Sequence, residues 1–377
     1  MGKKKDSLEL YFHIPFCIKK CDYCDFLSGP ATRAGQEAYI YALLREMKAV
    51  SAIEKRTVDT VFIGGGTPSV PECGIMEKLL QGIGKNFQLA ADAEVTIEAN
   101  PGTLTPEKLA LYRRYGINRI SIGLQSPENQ ELRALGRVHN YQQFLESYHM
   151  AREAGFSNIN IDLMFAIPGQ SYEGWIQNLR TVAKLGPEHI SAYSLIIEEG
   201  TPFSARKLDL PDEDTEYRMY EDVAAVLGKY GYYQYEISNY AKKDRNCRHN
   251  EGYWQRKDYL GLGLGAASLV GRERFTNTSD MSEYLENSGN LEKIRTDRET
   301  LTREDEMGEF MFLGLRMTKG VSKKDFQEYF GTSIEKIYGE VLEKYKKQGL
   351  LLEKNGRVCL SRAGIHVSNA VMADFLL

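Results

Sequence analysis

Through the first two-thirds of the chain, short apolar runs alternate with longer stretches in which apolar residues recur at helical spacing. The short runs, at 8–14, 58–63, 94–99, 119–124, 158–165 and 189–196, read as buried strands. Between them, 36–53, 74–84, 106–115, 141–154 and 172–185 carry the helical pattern, and 212–230 follows the last strand. Regular alternation of this kind predicts a parallel sheet, because parallel strands need crossovers long enough to hold a helix. Right-handed crossovers curl such a sheet toward a barrel. Six units fall short of the eight that close one. The expected class is therefore α/β, with a partial, open (β/α)6 barrel over 1–231.

The pattern changes after Gly231. Residues 232–300 are rich in Tyr, Asn and Gly, lack a clear period, and read as a linking segment. Within them, Gly261-Leu-Gly-Leu-Gly265 implies backbone pressed against a ligand or a neighbouring element. Helical spacing returns at 302–317, 322–330 and 334–348. Two apolar runs, 350–353 and 358–360, then flank Asn355-Gly356, a strong hairpin signal. Helices followed by a hairpin predict a small α+β, winged-helix-like C-terminal domain over 301–377. Such domains bind nucleic acid or serve as packing modules, and the acidic run Arg303-Glu-Asp-Glu306 favours packing.

Composition narrows the function classes. With 42% hydrophobic and 27% charged residues in 377, the chain has the make-up of an ordinary globular protein. No apolar run reaches the ~20 residues of a membrane span. The start, Met1-Gly-Lys-Lys-Lys5, enters the first strand without a signal-peptide core, and its lysines read as a solvated end rather than a membrane anchor. A net charge of −4 argues against a nucleic-acid partner. Six cysteines are too sparse for a disulfide framework, so a reducing, cytoplasmic location is expected.

Three of those cysteines stand together, in His13-Ile-Pro-Phe-Cys17-Ile-Lys-Lys-Cys21-Asp-Tyr-Cys24. A [4Fe–4S] cluster is usually held by four thiolates. Three leave one iron open to a group that is not protein. Zinc would call for a second Cys/His pair, and Cys73, Cys247 and Cys359 are isolated. His13 alternates within a strand and is readable as simply packed.

In β/α barrels the active site lies at the C-terminal ends of the strands. Cys17 follows the first strand, and Gly64-Gly65-Gly66-Thr67-Pro68 follows the second. Glu98 and Asn100 end the third, Gln125 ends the fourth, and Asp162 sits in the fifth, with Pro168-Gly169 beyond it. Charges such as Glu98 and Asp162 inside apolar runs are costly unless paired, which marks them as site candidates. Taken alone, the glycine turn is an ordinary tight loop and Arg137 an ordinary surface cation.

The cysteine spacing, with Tyr23 directly before the third cysteine, resembles that of the radical S-adenosylmethionine (SAM) family. In that family SAM chelates the open iron, and one electron from the cluster releases a 5′-deoxyadenosyl radical; the protein supplies orientation and shielding. Tyr11-Phe-His13-Ile-Pro15, the Gly64–Pro68 turn, Glu98-Ala-Asn-Pro101, Gly123-Leu-Gln125-Ser126, Arg137, Asn160-Ile-Asp162 and Pro168-Gly169 are similar to the porphyrin-related HemN/HemW branch. That branch contains the oxygen-independent coproporphyrinogen III oxidases and the haem chaperones. The resemblance implies cluster ligands at Cys17, Cys21 and Cys24. It implies a SAM pocket lined by Tyr11, Gly65, Gly66, Thr67, Glu98, Gln125, Arg137 and Asp162. Asp162 would hold the ribose hydroxyls, and Gly65 and Gly66 would admit the methionyl end.

Two departures separate the groups within the branch. The oxidases carry a further cysteine two residues after the third, where Phe26 stands here, and a long segment ahead of the motif, where sixteen residues precede Cys17. Arg248-His249-Asn250-Glu-Gly-Tyr253-Trp254, in contrast, resembles the H-N-x-x-Y-W signature of the chaperones. That resemblance implies haem as a further ligand, with His249 on the iron, Tyr253 and Trp254 stacked on the porphyrin, and Cys247 a second ligand candidate. The expected function is haem binding and transfer to an acceptor protein, membrane proteins among the candidates. The alternative is oxidative decarboxylation of coproporphyrinogen III. Either implies an electron donor such as flavodoxin or ferredoxin.

Overall fold

The computed structural model describes residues 7–376; the leading lysines lie outside the described residues. Six parallel strands form the centre: β1 Ser7–Ile14, β2 Thr57–Gly65, β3 Leu89–Ala99, β4 Arg119–Gln125, β5 Ile159–Phe165 and β6 His189–Ser194. They lie side by side in chain order. The connecting helices are α1 Arg33–Ile53, α2 Cys73–Asn86, α3 Pro106–Arg114, α4 Asn129–Ala134, α5 Tyr141–Glu153 and α6 Tyr172–Leu185, with α7 Glu213–Gly228 after β6. Local chemistry sets their ends. Thr32, Thr105 and Ser171 accept hydrogen bonds from first-turn amides, and Asn140 with Gln143 makes a reciprocal capping box. Gly186, at φ +74°, ends α6 in the left-handed conformation that glycine adopts without a Cβ clash. Leu10, Phe12, Val61, Ile63, Ile97, Ile122 and Ile161 are fully buried, which is why these strands read as apolar runs.

Three elements differ from expectation. β3 starts at Leu89, because Leu89–Asp92 is half-exposed and carries no apolar pattern. α4 has one buried residue, Leu132, and so leaves no periodic signal. β6 stops at Ser194, and Ile196 beyond it is 66% exposed at the rim of the site described below.

Residues 232–300, read above as a linking segment, extend the barrel sheet at both edges. β7 Tyr233–Gln234 and β8 Asn239–Ala241 add antiparallel beyond β6. After α8 Arg248–Trp254, β9 Tyr259–Leu262 pairs parallel with β1, and β10 Ala267–Val270, β11 Glu273–Asn277 and β12 Arg295–Thr300 continue antiparallel. Short helices α9 Met281–Asn287 and α10 Leu291–Ile294 interrupt that run. These strands are two to six residues long, too short to show a period. The glycine run meets a neighbouring element. A Cβ on Gly263 (φ +105°) would sit 2.6 Å from Tyr39 Oη and 2.8 Å from the His13 carbonyl.

The C-terminal part has its own core, built on Met311, Phe326, Phe330, Ile334, Tyr338 and Phe375. Its order is α11 Arg303–Gly314, β13 Val321–Ser322, α12 Lys323–Phe330, α13 Ile334–Lys347, β14 Leu351–Lys354 and β15 Arg357–Leu360, then α14 Arg362–His366 and α15 Ser368–Ala373. Helix, strand, two helices and a hairpin is winged-helix order. Asn355 and Gly356, at φ +51° and +71°, make the hairpin turn. The acidic face of α11 packs inward: Arg256 Nε donates to Glu309 at 2.8 Å, and Glu306 pairs with Arg256 and Arg272 at 3.3 and 3.5 Å. Ile237 N–H donates to Arg316 O at 3.1 Å and Thr318 N–H to Tyr235 O at 3.0 Å, stitching this part to the barrel edge. Among the described residues, no helix is long and apolar enough to cross a membrane.

Candidate functional site

The C-terminal ends of β1 to β5 surround a cavity of about 320 Å³. Cys17, Cys21 and Cys24 line it from the loop after β1. That loop is closed by a bridge between Phe16 and Gly29, with Cys17 N–H donating to Gly29 O at 3.0 Å. Seven of the eight expected SAM residues line the same cavity: Gly65, Gly66, Thr67, Glu98, Gln125, Arg137 and Asp162. Tyr11 lines a second cavity directly beneath, which shares Gly65, Glu98 and Asp162 with the first.

Each position has a local cause. Gly66 lies where a Cβ would meet Phe16 O at 2.8 Å and Cys17 Sγ at 3.0 Å, so the close approach needs glycine. Gly65, at φ +111°, donates its N–H to Glu98 Oε2 at 3.2 Å. Burial, with the charge of Asp162 adding to it, pushes the Glu98 carboxyl up to about 8. Burial also raises Asp162, which accepts from Ser121 Oγ at 3.1 Å and Asn160 Nδ2 at 2.7 Å. Gln125 sits at φ +71° and takes a hydrogen bond from Tyr193 Oη at 2.8 Å. Arg137 spans the site. One Nη donates to Cys21 Sγ at 3.4 Å, the other to Asn100 Oδ1 at 2.7 Å and Gly123 O at 2.6 Å.

Two contributors, Ser121 and Tyr193, escaped sequence reading, while Asn100 and Asn160, named there, gain their partners only here. Asn100 joins Arg137 to Thr67, donating to Thr67 Oγ1 at 2.7 Å, and Ser121, Tyr193 and Asn160 anchor the site carboxylate and amide. Ser121 and Asn160 do carry a signal, since each interrupts an apolar strand on the face that Asp162 shares.

This donor set fits a [4Fe–4S] cluster with SAM. Three partly exposed thiols ring one cavity. Glycine backbone leaves room beside the Cys17 sulfur. Arg137 Nε is buried without a hydrogen-bond partner among the described residues. When bound, such a pair supplies one-electron reductive chemistry. The chain's own residues would cradle the methionyl end with Gly65 and Gly66, hold polar groups with Glu98, Gln125 and Asp162, and shield the thiolates with Arg137.

The residues expected at haem fall in two places. His249 and Tyr253 line the lower cavity, about 310 Å³, inside the barrel. His249 is 1% exposed, its Nδ1 hydrogen-bonded to Thr60 Oγ1 at 2.6 Å and its Nε2 to Tyr253 Oη at 2.9 Å. Burial, then the charges of Arg119 and Lys257, push its imidazole down to about 3, so it stays neutral. Both ring nitrogens are engaged, which leaves no lone pair for iron in this conformation. Cys247 is buried against Glu94, its thiol pushed up to about 12 by burial. Trp254 is not brought together with His249 and Tyr253; it lines a separate cleft of about 410 Å³ against the C-terminal domain. Helix geometry explains the split: residues four apart share a face, whereas five steps of ~100° put Trp254 about 140° round from His249.

Residues 11–182 match the Radical SAM superfamily, and 301–367 match the HemN C-terminal domain. The chain is 37% identical over 97% of its length to the "Heme chaperone HemW" of Bacillus subtilis, covering 98% of that protein. It is 38% identical to that of Lactococcus lactis over 97% of both chains, and 38% identical to that of Escherichia coli over 93% of both. In structure it is similar to the coproporphyrinogen III oxidase HemN of Escherichia coli, with a TM-score of 0.87 at 24% identity, over 98% of this chain and 90% of that one. At that identity the likeness establishes the fold. The chain belongs to the HemW family of the radical SAM superfamily.

Proposed function

We propose that this chain is a haem chaperone: it binds haem and passes it to an acceptor protein, with a SAM-chelated [4Fe–4S] cluster at the strand ends. The observation that carries this reading is identity of 37–38% along nearly the whole chain to proteins bearing that name. Cys17, Cys21 and Cys24 are assigned to the cluster, and Tyr11, Gly65, Gly66, Thr67, Glu98, Gln125, Arg137 and Asp162 to SAM. Of the three haem candidates, Trp254 is assigned to direct contact, while His249 and Tyr253 hold α8 in place. The reaction needs a one-electron donor of the flavodoxin or ferredoxin class, and we place it in the cytoplasm, with the acceptor either soluble or membrane-bound. Residues 7–300 are proposed as one sheet-bearing unit and 301–376 as the second domain.

The fold shared with HemN keeps one competing reading, decarboxylation of coproporphyrinogen III. A single experiment separates the two. Reconstituted, reduced protein is incubated anaerobically with SAM and coproporphyrinogen III, and in parallel haem-loaded protein is mixed with an apo-haemoprotein. Transfer of haem without protoporphyrinogen formation is the expected result. Protoporphyrinogen appearing together with 5′-deoxyadenosine would replace the chaperone reading with the oxidase.

A further inference from the structure

We propose that the chamber inside the barrel, beneath the strand ends, is a second small-molecule site, and that its ligand is a small carboxylate held by Arg119 and Asn250. This goes beyond the haem-chaperone reading and does not depend on it.

The chamber follows from strand alternation. Side chains two apart on a strand share a face. Arg119 and Ser121 on β4, Asn160 and Asp162 on β5, and Ser191 on β6 therefore all line it. Register places Ser121 opposite Asn160 and Asp162 opposite Ser191. Most of these polar groups satisfy one another. Asn160 Nδ2 donates to Ser121 Oγ at 2.7 Å, and Ser191 Oγ donates to Asn160 Oδ1 at 3.2 Å. Asp162 accepts from Ser121 and Asn160 at 3.1 and 2.7 Å. His13, also in the lining, is engaged by Tyr11 Oη at 3.0 Å and by the Leu27 carbonyl at 2.8 Å.

Two groups in the lining are left over. Arg119 is 2% exposed, yet its guanidinium makes no hydrogen bond or ion pair among the described residues. Burial opposes its charge, while acidic groups nearby, Glu94 and Asp162 among them, favour it through space. Asn250, half-buried on α8, likewise has a carboxamide without a hydrogen bond among the described residues. A buried guanidinium with no partner is costly, and such a group calls for an explanation. Its planar fork matches a carboxylate, and the Asn250 amide adds a donor and an acceptor beside it. Glu98 does not repel such a ligand. Burial, then the charge of Asp162, hold its carboxyl at about 8, so near neutrality it is protonated and can donate. A single cation matches a single negative charge, which favours a carboxylate over a phosphate dianion. The volume of about 310 Å³ lies at the small end of ligand sites, ~300–1,000 Å³, and selects a molecule of a few carbons. Phe26, 61% exposed and lining both cavities, marks the way in.

The test is calorimetric titration of the full-length, cluster-reconstituted chain, saturated with SAM, with lactate, lactamide and inorganic phosphate as probes. Lactate carries a carboxylate and a hydroxyl, and lactamide keeps the shape without the charge. Lactate should bind at least about tenfold more tightly than lactamide or phosphate. Arg119→Gln should weaken lactate binding by about tenfold, and Asn250→Ala by about threefold. Circular dichroism and iron content serve as controls for folding. Asn250→Ala breaks no side-chain hydrogen bond among the described residues, so it decides the matter if Arg119→Gln does not fold. Lactate binding no tighter than lactamide, a preference for phosphate, or unchanged lactate affinity in a folded variant would overturn the assignment. So would lactate binding that appears only when SAM is left out, because lactate would then occupy the cavity above.

Discussion

At the scale of single residues, His249 shows how a motif can be legible and its role not. The histidine was recognisable as special, but its environment was not, because Thr60, Glu9 and Phe62 reach it from strands far away in sequence. The three clustered cysteines are the reverse case: their spacing and the resemblance it carries propose the ligand set, and coordinates add the neighbouring contacts, such as Arg137 on Cys21. The neutral imidazole of His249 has a pH consequence. An unfolded chain protonates it below ~6.5, whereas the folded chain resists until about 3. Its contribution to stability is therefore full above pH 6.5 and is lost as pH falls toward 3. Between pH 6.5 and 5 the loss is at most about 2 kcal/mol. His249→Gln should accordingly show a smaller drop in Tm from pH 7 to pH 5 than the unsubstituted chain; an equal drop would contradict the buried neutral state. At the cluster loop, Gly66→Ala must push Phe16 O or the Cys17 sulfur aside. Iron content after anaerobic reconstitution should fall while far-UV circular dichroism stays unchanged. Cys24→Ser should abolish the broad visible absorbance altogether, and a retained [4Fe–4S] spectrum would refute that ligand assignment.

At the scale of elements, the six parallel strands were legible because burial leaves each rich in apolar residues, such as Leu10, Phe12, Ile97, Ile122 and Ile161, even where polar residues alternate with them. The edge strands were not, because a pair such as Tyr233–Gln234 is defined by its hydrogen-bond partner on the neighbouring strand rather than by any pattern of its own. α8 is the element on which the haem reading turns. Its Gly252 faces β1 so closely that a Cβ would lie 1.9 Å from Glu9 Oε1. Gly252→Ala should therefore lift α8 off the strand, at ~1–3 kcal/mol for overpacking. Hydrogen exchange would report the change as lost protection across α8 with the central strands unaffected. Unchanged protection would mean that Glu9 moves instead of the helix.

At the scale of the whole molecule, the C-terminal domain is tied to the barrel sheet by charge as well as backbone pairing. Glu309, 7% exposed, accepts from Arg256 at 2.8 Å and also pairs with Arg274 of β11. Removing one member of a buried ion pair typically costs ~3–5 kcal/mol. Glu309→Ala should lower the melting temperature and let the C-terminal domain melt ahead of the barrel in calorimetry. A single transition at the original temperature would show that the backbone contacts alone carry the docking.

α8 is a wall of two rooms. Its His249 face closes the chamber that shares Glu98, Gly65 and Asp162 with the cluster cavity, and its Trp254 end closes the cleft. A short helix that is one rigid piece cannot tilt in one room without tilting in the other. Ligands seated in both rooms would then be thermodynamically linked, and linkage is reciprocal. By whatever factor a ligand in one room changed the affinity of the other, it would be changed in turn by the same factor. Filling the cleft would thereby be a message to the cavity ringed by the three cysteines, with no wire between them other than one turn and a half of helix.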